Sequence, residues 1–261
     1  MSRSRPDQHS PVGVRSAPTP LEGVVFDLDG TLISSPLDFP AMRREIVRTA
    51  GEFGCRFPGG SAAVNDLSTA QLLSAVREEM ARMQLSKAMM KRFEVAVNRQ
   101  LDLEELKAVG GVRPRPGAID LLNKLKARSY HLGILTRSSR GYCHAALERV
   151  AFSQYFPNCR TRSTRGPMKP DPQALLSLLR TMDVRPSRAV FVGDHLDDAR
   201  CALGAGVDFV AILPEGSSHT QSKTVAFRRA GVRKIYRDYE QVTRWFSRAG
   251  YLGISAAAVT L

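Results

Sequence analysis

Short apolar runs alternate along this chain with longer stretches in which apolar residues recur at helical spacing. The runs predict buried strands at Gly23–Phe26, Tyr130–Leu135, Asn158–Arg160, Ala189–Val192 and Asp208–Leu213. The stretches between them predict helices at Ala118–Ala127, Cys143–Val150, Pro170–Met182 and Asp197–Ala205. Strands that alternate with helices indicate an α/β fold, in which a parallel sheet is covered on both faces.

Two segments do not follow this alternation. Residues 35–112 are mostly helical, with Gly59–Gly60 as a predicted loop, and they therefore form an insertion between core segments 22–34 and 113–261. Residues 1–21 are rich in Ser, Pro and Arg and carry almost no large apolar side chain, which predicts a disordered tail. The alternative for this tail is a short transit segment.

Composition narrows the function class. The 38 Lys and Arg residues exceed the 25 Asp and Glu residues, and a charge of +13 favours an anionic ligand, whether nucleic acid, acidic lipid or a phosphorylated metabolite. No apolar run reaches the roughly 18 residues of a membrane span, so no membrane partner is expected. The four cysteines lack metal-site spacing and indicate a reducing compartment. We expect a cytoplasmic protein, or a plastid or mitochondrial one if residues 1–21 are a transit peptide.

Polar side chains directly follow three of the predicted strands. These residues are Asp27, Thr136 and Asp194, while Lys169 precedes a predicted helix. Because ligands collect at the carboxyl ends of parallel strands, we expect the four side chains at one edge of the sheet. Carboxylates, including Asp29, are hard ligands that suit Mg²⁺, and the ammonium and hydroxyl groups are donors for a phosphoryl group. Such a set indicates phosphoryl transfer.

Four segments in this order resemble a known family. They are Asp27-Leu-Asp-Gly-Thr31, Leu135-Thr136, Lys169-Pro-Asp-Pro172 and Val192-Gly-Asp194-His-Leu-Asp-Asp198. The chain resembles the haloacid dehalogenase-like (HAD) hydrolase superfamily, in its phosphatase branch with a small helical cap, similar to phosphoglycolate phosphatases. The resemblance covers about residues 22–213. It implies a three-layer, Rossmann-like HAD core with residues 35–112 as the cap, which closes over the site and selects the leaving group. The alternative is that these helices only pack on the core.

The resemblance also assigns roles to the acidic residues. It implies that Asp27 attacks phosphorus and that Asp29 acts as general acid and base. It implies Mg²⁺ as the cofactor, held by the carboxylates of Asp27 and Asp194 and by the backbone carbonyl of Asp29. Asp198 would support the metal shell.

The phosphate-binding residues implied by the resemblance are Thr136 and Lys169, with Gly30 allowing a sharp turn beside the phosphate. Arg137 stands where many relatives carry a small polar residue. It is a candidate phosphate donor, and the alternative is a surface-facing arginine.

The expected function is therefore Mg²⁺-dependent hydrolysis of a small phosphorylated metabolite through an aspartyl-phosphate. Asp29 favours a phosphatase over a dehalogenase, because the dehalogenases of the superfamily lack this second acid. A phosphomutase or phosphotransferase is the first alternative. The second is a non-catalytic protein on the same fold that binds nucleic acid. The intact set of Asp27, Asp29, Lys169 and Asp194 counts against it.

Two basic segments are open to more than one interpretation. Arg160, Arg162 and Arg165 predict a solvated loop, and the alternative is that they attract a second anionic group of the substrate. Residues 223–248 contain eight basic residues, two acids and interleaved aromatic residues, a composition that could suit nucleic acid. We favour a terminal helix that packs on the sheet through its apolar stripe of Val242, Trp245 and Phe246.

Overall fold

The computed structural model describes residues 20–56, 67–214 and 220–252 of the chain. The predicted loop at Gly59–Gly60 and nearly all of the predicted tail lie outside these ranges. The described strands are β1 (Gly23–Phe26), β2 (Ile33–Ser34), β3 (Arg113–Pro114), β4 (His131–Leu135), β5 (Asn158–Arg160), β6 (Ala189–Gly193), β7 (Asp208–Ile212) and β8 (Lys234–Tyr236). The described α-helices are α1 (Phe39–Glu52), α2 (Thr69–Arg82), α3 (Lys87–Ala108), α4 (Ala118–Lys126), α5 (Arg140–Arg149), α6 (Pro172–Thr181), α7 (Leu196–Gly204), α8 (Thr220–Arg229) and α9 (Tyr239–Arg248).

Six of these strands form one parallel sheet in the order β5-β4-β1-β6-β7-β8. Strand β1 lies at its centre, where Phe26 pairs in register with Ile134 of β4 and with Val192 of β6. The predicted α/β fold with a parallel sheet is therefore confirmed. Because β1, β4 and β6 are adjacent and parallel, the residues that follow them emerge side by side.

Helices cover both faces of the sheet and make three layers. On one face, Phe26 packs in a core with apolar residues of α4, α5 and α9. On the other face, Val25 packs with apolar residues of α6, α7 and α8. The side chains of Val25 and Phe26 are fully buried, and burial of an aliphatic or aromatic side chain of this size contributes about 1.5–3 kcal/mol. Strand β1 is thus held rigidly from both sides.

The predicted helices begin within three residues of the observed starts, and capping side chains account for the differences. Ser139 accepts a hydrogen bond from the backbone N–H of Tyr142 and starts α5 before the expected position. Asp171 accepts from Gln173 N–H and delays the start of α6. Each side chain satisfies an N–H group that has no partner within the first turn of its helix.

Helices α1, α2 and α3 form a separate unit between the second and third strands. They share their own apolar core, in which the rings of Phe53 and Phe93 meet edge to face with centroids 5.7 Å apart. The antiparallel pair β2–β3, with Ser34 opposite Arg113, brings the two ends of this unit together. The unit therefore leaves and re-enters the core at one point beside β1.

The C-terminal part of the described chain completes the sheet and one of its faces. Val242 and Phe246 of α9 are fully buried in the core, and Trp245 packs partly buried beside them. This confirms the terminal helix that we favoured for the basic segment. The preceding α8 and β8 were not expected from the sequence, because neither has a clear apolar period.

Among the helices in the described ranges, none combines the length and the apolar composition that a membrane crossing requires.

Candidate active site

The carboxyl edge of the sheet carries the residues that follow its three central strands. Asp27 comes directly after β1, and its backbone N–H donates to Val192 O at 2.9 Å, so it remains within the sheet. Thr136 follows β4 and Asp194 follows β6. Asp27 and Thr136 are buried, with 7% and 2% of their surface exposed, whereas Asp194 is half-buried. The structure thus places the three predicted strand-end residues at one edge.

The turn after Asp27 is packed against Asp194. Gly30 has φ +84°, and a Cβ atom at this position would lie 2.6 Å from Oδ2 of Asp194. The next residue, Thr31, donates from its hydroxyl to Oδ1 of Asp194 at 3.3 Å. The left-handed backbone and the short distance both require glycine here. The turn therefore fixes the position of the Asp194 carboxylate.

Lys169 is buried among the acidic side chains. Its Nζ donates to Oδ1 of Asp27 at 2.6 Å and lies 2.7 Å from Oδ1 of Asp198. Asp198 is fully buried in the first turn of α7, where its Oδ2 accepts from His195 N–H at 3.0 Å. Lys169 comes just before α6 and is followed by a cis peptide bond to Pro170. One ammonium group therefore offsets the charge of two buried carboxylates.

Asp27, Asp194 and Asp198 also form a group that fits a metal ion. Each offers one carboxylate oxygen, and the three oxygens lie within 4.8 Å of one another. Burial raises the pKa of Asp27 to about 8; Lys169 opposes this shift, and the carboxylates of Asp198 and Asp194 add to it. Burial and the Asp198 charge also raise the pKa of Asp194. A hard divalent cation such as Mg²⁺ would relieve this repulsion and suits an all-oxygen donor set.

The carboxylate of Asp29 is held by hydroxyl groups. Its Oδ1 accepts from Ser35 Oγ and from Tyr142 OH, both at 2.6 Å, and its Oδ2 accepts from Ser138 Oγ at 2.9 Å. Ser35 follows β2, whereas Ser138 and Tyr142 belong to the β4–α5 connection and to α5. Both oxygens of this side chain therefore have donors, and its carboxylate has a defined orientation.

Thr136 and Arg137 differ in their surroundings. The hydroxyl oxygen of Thr136 accepts from the N–H of Ser138 at 3.1 Å, which leaves the hydroxyl hydrogen to donate elsewhere. Arg137 is about a quarter exposed, and its guanidinium donates to Oδ2 of Asp197 at 2.5 Å. The structure thus gives Arg137 a carboxylate partner in α7 beside the site.

The interpretation of Arg160 and Arg162 as parts of a solvated loop is wrong. Arg160 is buried and donates to the carbonyl oxygens of Arg165 and Pro167, both at 3.0 Å. Arg162 donates to both carboxylate oxygens of Glu105, at 2.6 and 3.0 Å. Carbonyl and carboxylate partners replace water around these two guanidinium groups, whereas Arg165 is exposed, as predicted.

The ion pair of Arg162 and Glu105 joins the inserted helices to the candidate site. Glu105 lies in α3 with 1% of its surface exposed, and it also accepts from Ser139 N–H at 2.9 Å. Arg162 further donates to Asp102 of α3 at 2.6 Å and to the carbonyl oxygen of Arg137 at 3.1 Å. The β4–α5 connection is therefore bonded directly to the insertion.

No motif in the sequence pointed to Ser35, Ser138 or Tyr142. The available signal for Tyr142 is its place on the apolar side of α5, beside Cys143 and Ala146. A phenol in such a position needs a hydrogen-bond partner for its hydroxyl. That requirement indicates that the hydroxyl has a hydrogen-bond partner, but it does not identify Asp29 as that partner.

The chain is an α/β protein of the Rossmann-like class, with carboxylates at the edge of the sheet where ligands bind. It belongs to the haloacid dehalogenase-like hydrolase family, because its residues 24–212 match the sequence model of that family. The phosphoglycolate phosphatase of Rhodospirillum rubrum is 28% identical over 234 residues, which cover 86% of this chain and 90% of the relative. The phosphoglycolate phosphatase of Pseudomonas putida is 30% identical over 203 residues, 75% of this chain and 70% of the relative.

Solved structures are similar in fold at lower identity. A HAD family hydrolase from Deinococcus radiodurans R1, determined with bound phosphate and sodium, superposes with a TM-score of 0.59. It is 19% identical, and the match covers 92% of this chain and all of that structure. This likeness agrees with the α/β architecture.

Proposed function

We propose that the protein is a Mg²⁺-dependent phosphatase that hydrolyses a small phosphorylated metabolite through an aspartyl-phosphate. The observation that carries this proposal is the buried contact of Lys169 with Asp27 at 2.6 Å, beside the carboxylates of Asp194 and Asp198. A buried lysine among acids at the carboxyl edge is suited to hold the anionic phosphoryl group next to a nucleophile.

In the first step, a carboxylate oxygen of Asp27 forms a bond to phosphorus as the bond to the leaving oxygen breaks. The leaving oxygen takes a proton from the Asp29 carboxyl group and departs as an alcohol. Thr136 and Lys169 donate hydrogen bonds to the phosphoryl oxygens and hold them in line for attack. Arg137 is a further donor to the phosphate.

In the second step, Asp29 takes a proton from water, whose oxygen attacks the phosphorus of the aspartyl-phosphate. The bond to Asp27 breaks, inorganic phosphate leaves, and Asp29 is again protonated for the next substrate. Gly30 lets the backbone turn sharply beside the phosphoryl group, because glycine readily adopts its φ of +84°.

The residues that would hold Mg²⁺ are Asp27 and Asp194 through their carboxylates and Asp29 through its backbone carbonyl. Asp198 supports this shell through Lys169, with which it is paired at 2.7 Å. When bound, the cation neutralises negative charge on the phosphoryl oxygens.

Residues 35–112 would act as a cap above a core of residues 22–34 and 113–261. The cap would exclude water from the first step and contact the leaving group. Arg162 bonds to Glu105 and Asp102 of α3 and also to the carbonyl oxygen of Arg137, and these bonds support the proposal because they link α3 to the connection that carries Thr136 and Ser138.

The substrate class that we propose is a small, acidic or polyhydroxylated phosphate ester. The names of the relatives from R. rubrum and P. putida make phosphoglycolate the first compound to assay. The chain's net charge of +13 agrees with an anionic substrate.

The test is release of inorganic phosphate from p-nitrophenyl phosphate and from a panel that includes phosphoglycolate and sugar phosphates. We expect turnover with Mg²⁺ and none after EDTA treatment. Asp27→Asn should lower the rate by more than about 100-fold, since an amide is a poor nucleophile. Asp208→Asn is the matched control, because this half-exposed aspartate begins β7 at the opposite edge of the sheet.

Absence of metal-dependent turnover, or full activity of Asp27→Asn, would contradict the proposal. A phosphomutase or phosphotransferase would instead convert a sugar phosphate without releasing stoichiometric phosphate, which product analysis of the same panel detects.

A further inference from the structure

Tyr142 is a core side chain whose hydroxyl reaches the candidate site. It has no exposed surface, and its OH donates to Oδ1 of Asp29 at 2.6 Å. The ring lies in the core cluster on one face of the sheet, among residues of α4, α5 and β1. Because tyrosine has two side-chain torsions and the ring is fully packed, the hydroxyl has a fixed position.

The helix that carries Tyr142 is itself fixed at its start. Ser139 caps α5 by accepting from the N–H of Tyr142 at 3.2 Å, and Glu105 accepts from the N–H of Ser139 at 2.9 Å. The backbone N–H groups of Ser139 and of Tyr142 itself are therefore both hydrogen-bonded. The phenol is held at its backbone as well as by its packing.

The three hydroxyl donors to Asp29 do not depend on the same part of the chain. Ser35 lies on the segment that leads into α1, so its position follows the inserted helices. Ser138 and Tyr142 belong to the core, and together they engage both oxygens of the carboxyl group. A phenolic hydroxyl keeps its proton at neutral pH and is therefore a constant donor.

We propose that Tyr142, assisted by Ser138, is a positioning residue that orients the Asp29 carboxyl group for proton transfer to the leaving oxygen. This inference rests on the phosphatase function proposed above, and it concerns a residue outside the four motif segments. Tyr142 holds Oδ1 and Ser138 holds Oδ2, so the two hydrogen bonds fix the rotation of the carboxyl group relative to the leaving oxygen.

This role predicts that the effect of losing Tyr142 on kcat/KM depends on the leaving group of the substrate. An alkoxide is a strong base and needs a proton from Asp29 as it departs, whereas 2,4-dinitrophenolate departs without one. The value of kcat/KM reports the steps up to loss of the leaving group. A misoriented Asp29 should therefore slow alkyl phosphates and spare 2,4-dinitrophenyl phosphate.

The experiment compares wild type with Tyr142→Phe on the best alkyl phosphate of the panel and on 2,4-dinitrophenyl phosphate, at saturating Mg²⁺. We expect kcat/KM for the alkyl phosphate to fall about tenfold or more, and that for the aryl phosphate to fall less than about threefold. Tyr155→Phe is the matched control, since Tyr155 is also buried and donates to Asn123 Oδ1 at 2.6 Å. The kcat/KM values of Tyr155→Phe on the two substrates should each stay within about twofold of wild type.

Ser138→Ala provides an independent variant, for which we expect the same selective loss. Equal losses on both substrates in Tyr142→Phe, or no loss on either, would overturn the positioning role while leaving the phosphatase intact. A wild type without turnover would overturn the phosphatase proposal itself. Thermal unfolding of each variant separates a folding defect from a kinetic one. If Tyr142→Phe does not fold, the loss of kcat/KM on the alkyl phosphate relative to the aryl phosphate in Ser138→Ala decides.

Discussion

A methyl group on Gly30 would place its carbon 2.6 Å from Oδ2 of Asp194. The turn after β1 therefore packs directly against the residue that follows β6, and no space remains between them for a side chain on Gly30. This contact links the first and last motif segments, which are far apart in sequence.

Replacing Gly30 by alanine should displace the Asp194 carboxylate and strain the backbone, whose φ is +84°. We expect a loss of about 1–2 kcal/mol in the free energy of unfolding, together with a large loss of Mg²⁺-dependent activity. Urea denaturation and steady-state kinetics measure the two effects. Gly51→Ala is the control, because Gly51 lies in α1 with no atom within 4 Å of its added Cβ. That variant should be slightly more stable than wild type, as alanine is the better helix former.

The metal-free protein should lose stability as the pH rises, because burial raises the pKa of Asp27 to about 8. An unfolded aspartate titrates near pH 4, so between about pH 4 and pH 8 the folded state binds the extra proton. The free energy of unfolding should fall through this window by at most about 1.4 kcal/mol per pH unit. Urea denaturation in EDTA at a series of pH values measures the slope.

Asp27→Asn should flatten this slope, and Asp208→Asn should leave it unchanged. Added Mg²⁺ should stabilise the wild type more at pH 8 than at pH 5, because the cation binds the carboxylate form. A slope that persists in Asp27→Asn would show that other groups cause it.

Removing the charge of Arg162 should destabilise the protein strongly. Arg162→Met leaves Glu105 buried at 1% exposure without its ion-pair partner, and such a loss costs about 3–5 kcal/mol. Chemical denaturation measures the change. Arg77→Met is the comparison, since Arg77 pairs with Glu94 across the surface of the inserted helices. A half-exposed pair of this kind contributes less than about 1 kcal/mol, and similar losses in both variants would contradict the argument.

Arg137 should affect substrate binding rather than the rate of the bound complex. If its guanidinium donates to the phosphate, Arg137→Ala should raise KM about tenfold with little change in kcat, consistent with the loss of one charge-assisted bond. Asp197→Asn keeps the arginine and removes its carboxylate partner, so its KM should not rise. Unaltered kinetics of Arg137→Ala on the physiological substrate would assign this residue to the α7 ion pair alone.

The strand pattern and the four motif segments predicted the fold and the residues at the carboxyl edge, because each signal is local. Asp27 is recognisable from the apolar run before it and the glycine after it. Tyr142 and Arg162 were beyond such reasoning, since their partners lie 113 and 57 residues away. For Arg162 the local composition was misleading, because a cluster of arginines suggests solvent until the acids of α3 are placed beside it.

The buried pair of Glu105 and Arg162 limits how the inserted helices can be exchanged between proteins. Although the insertion leaves and returns at one point, Glu105 supplies an acceptor for Ser139 N–H at the start of α5. A chimera that exchanged residues 35–112 for a foreign helical unit would leave Arg162 without its carboxylate partners and Ser139 N–H without its acceptor. A successful transplant must therefore carry an acid at the equivalent place on its third helix.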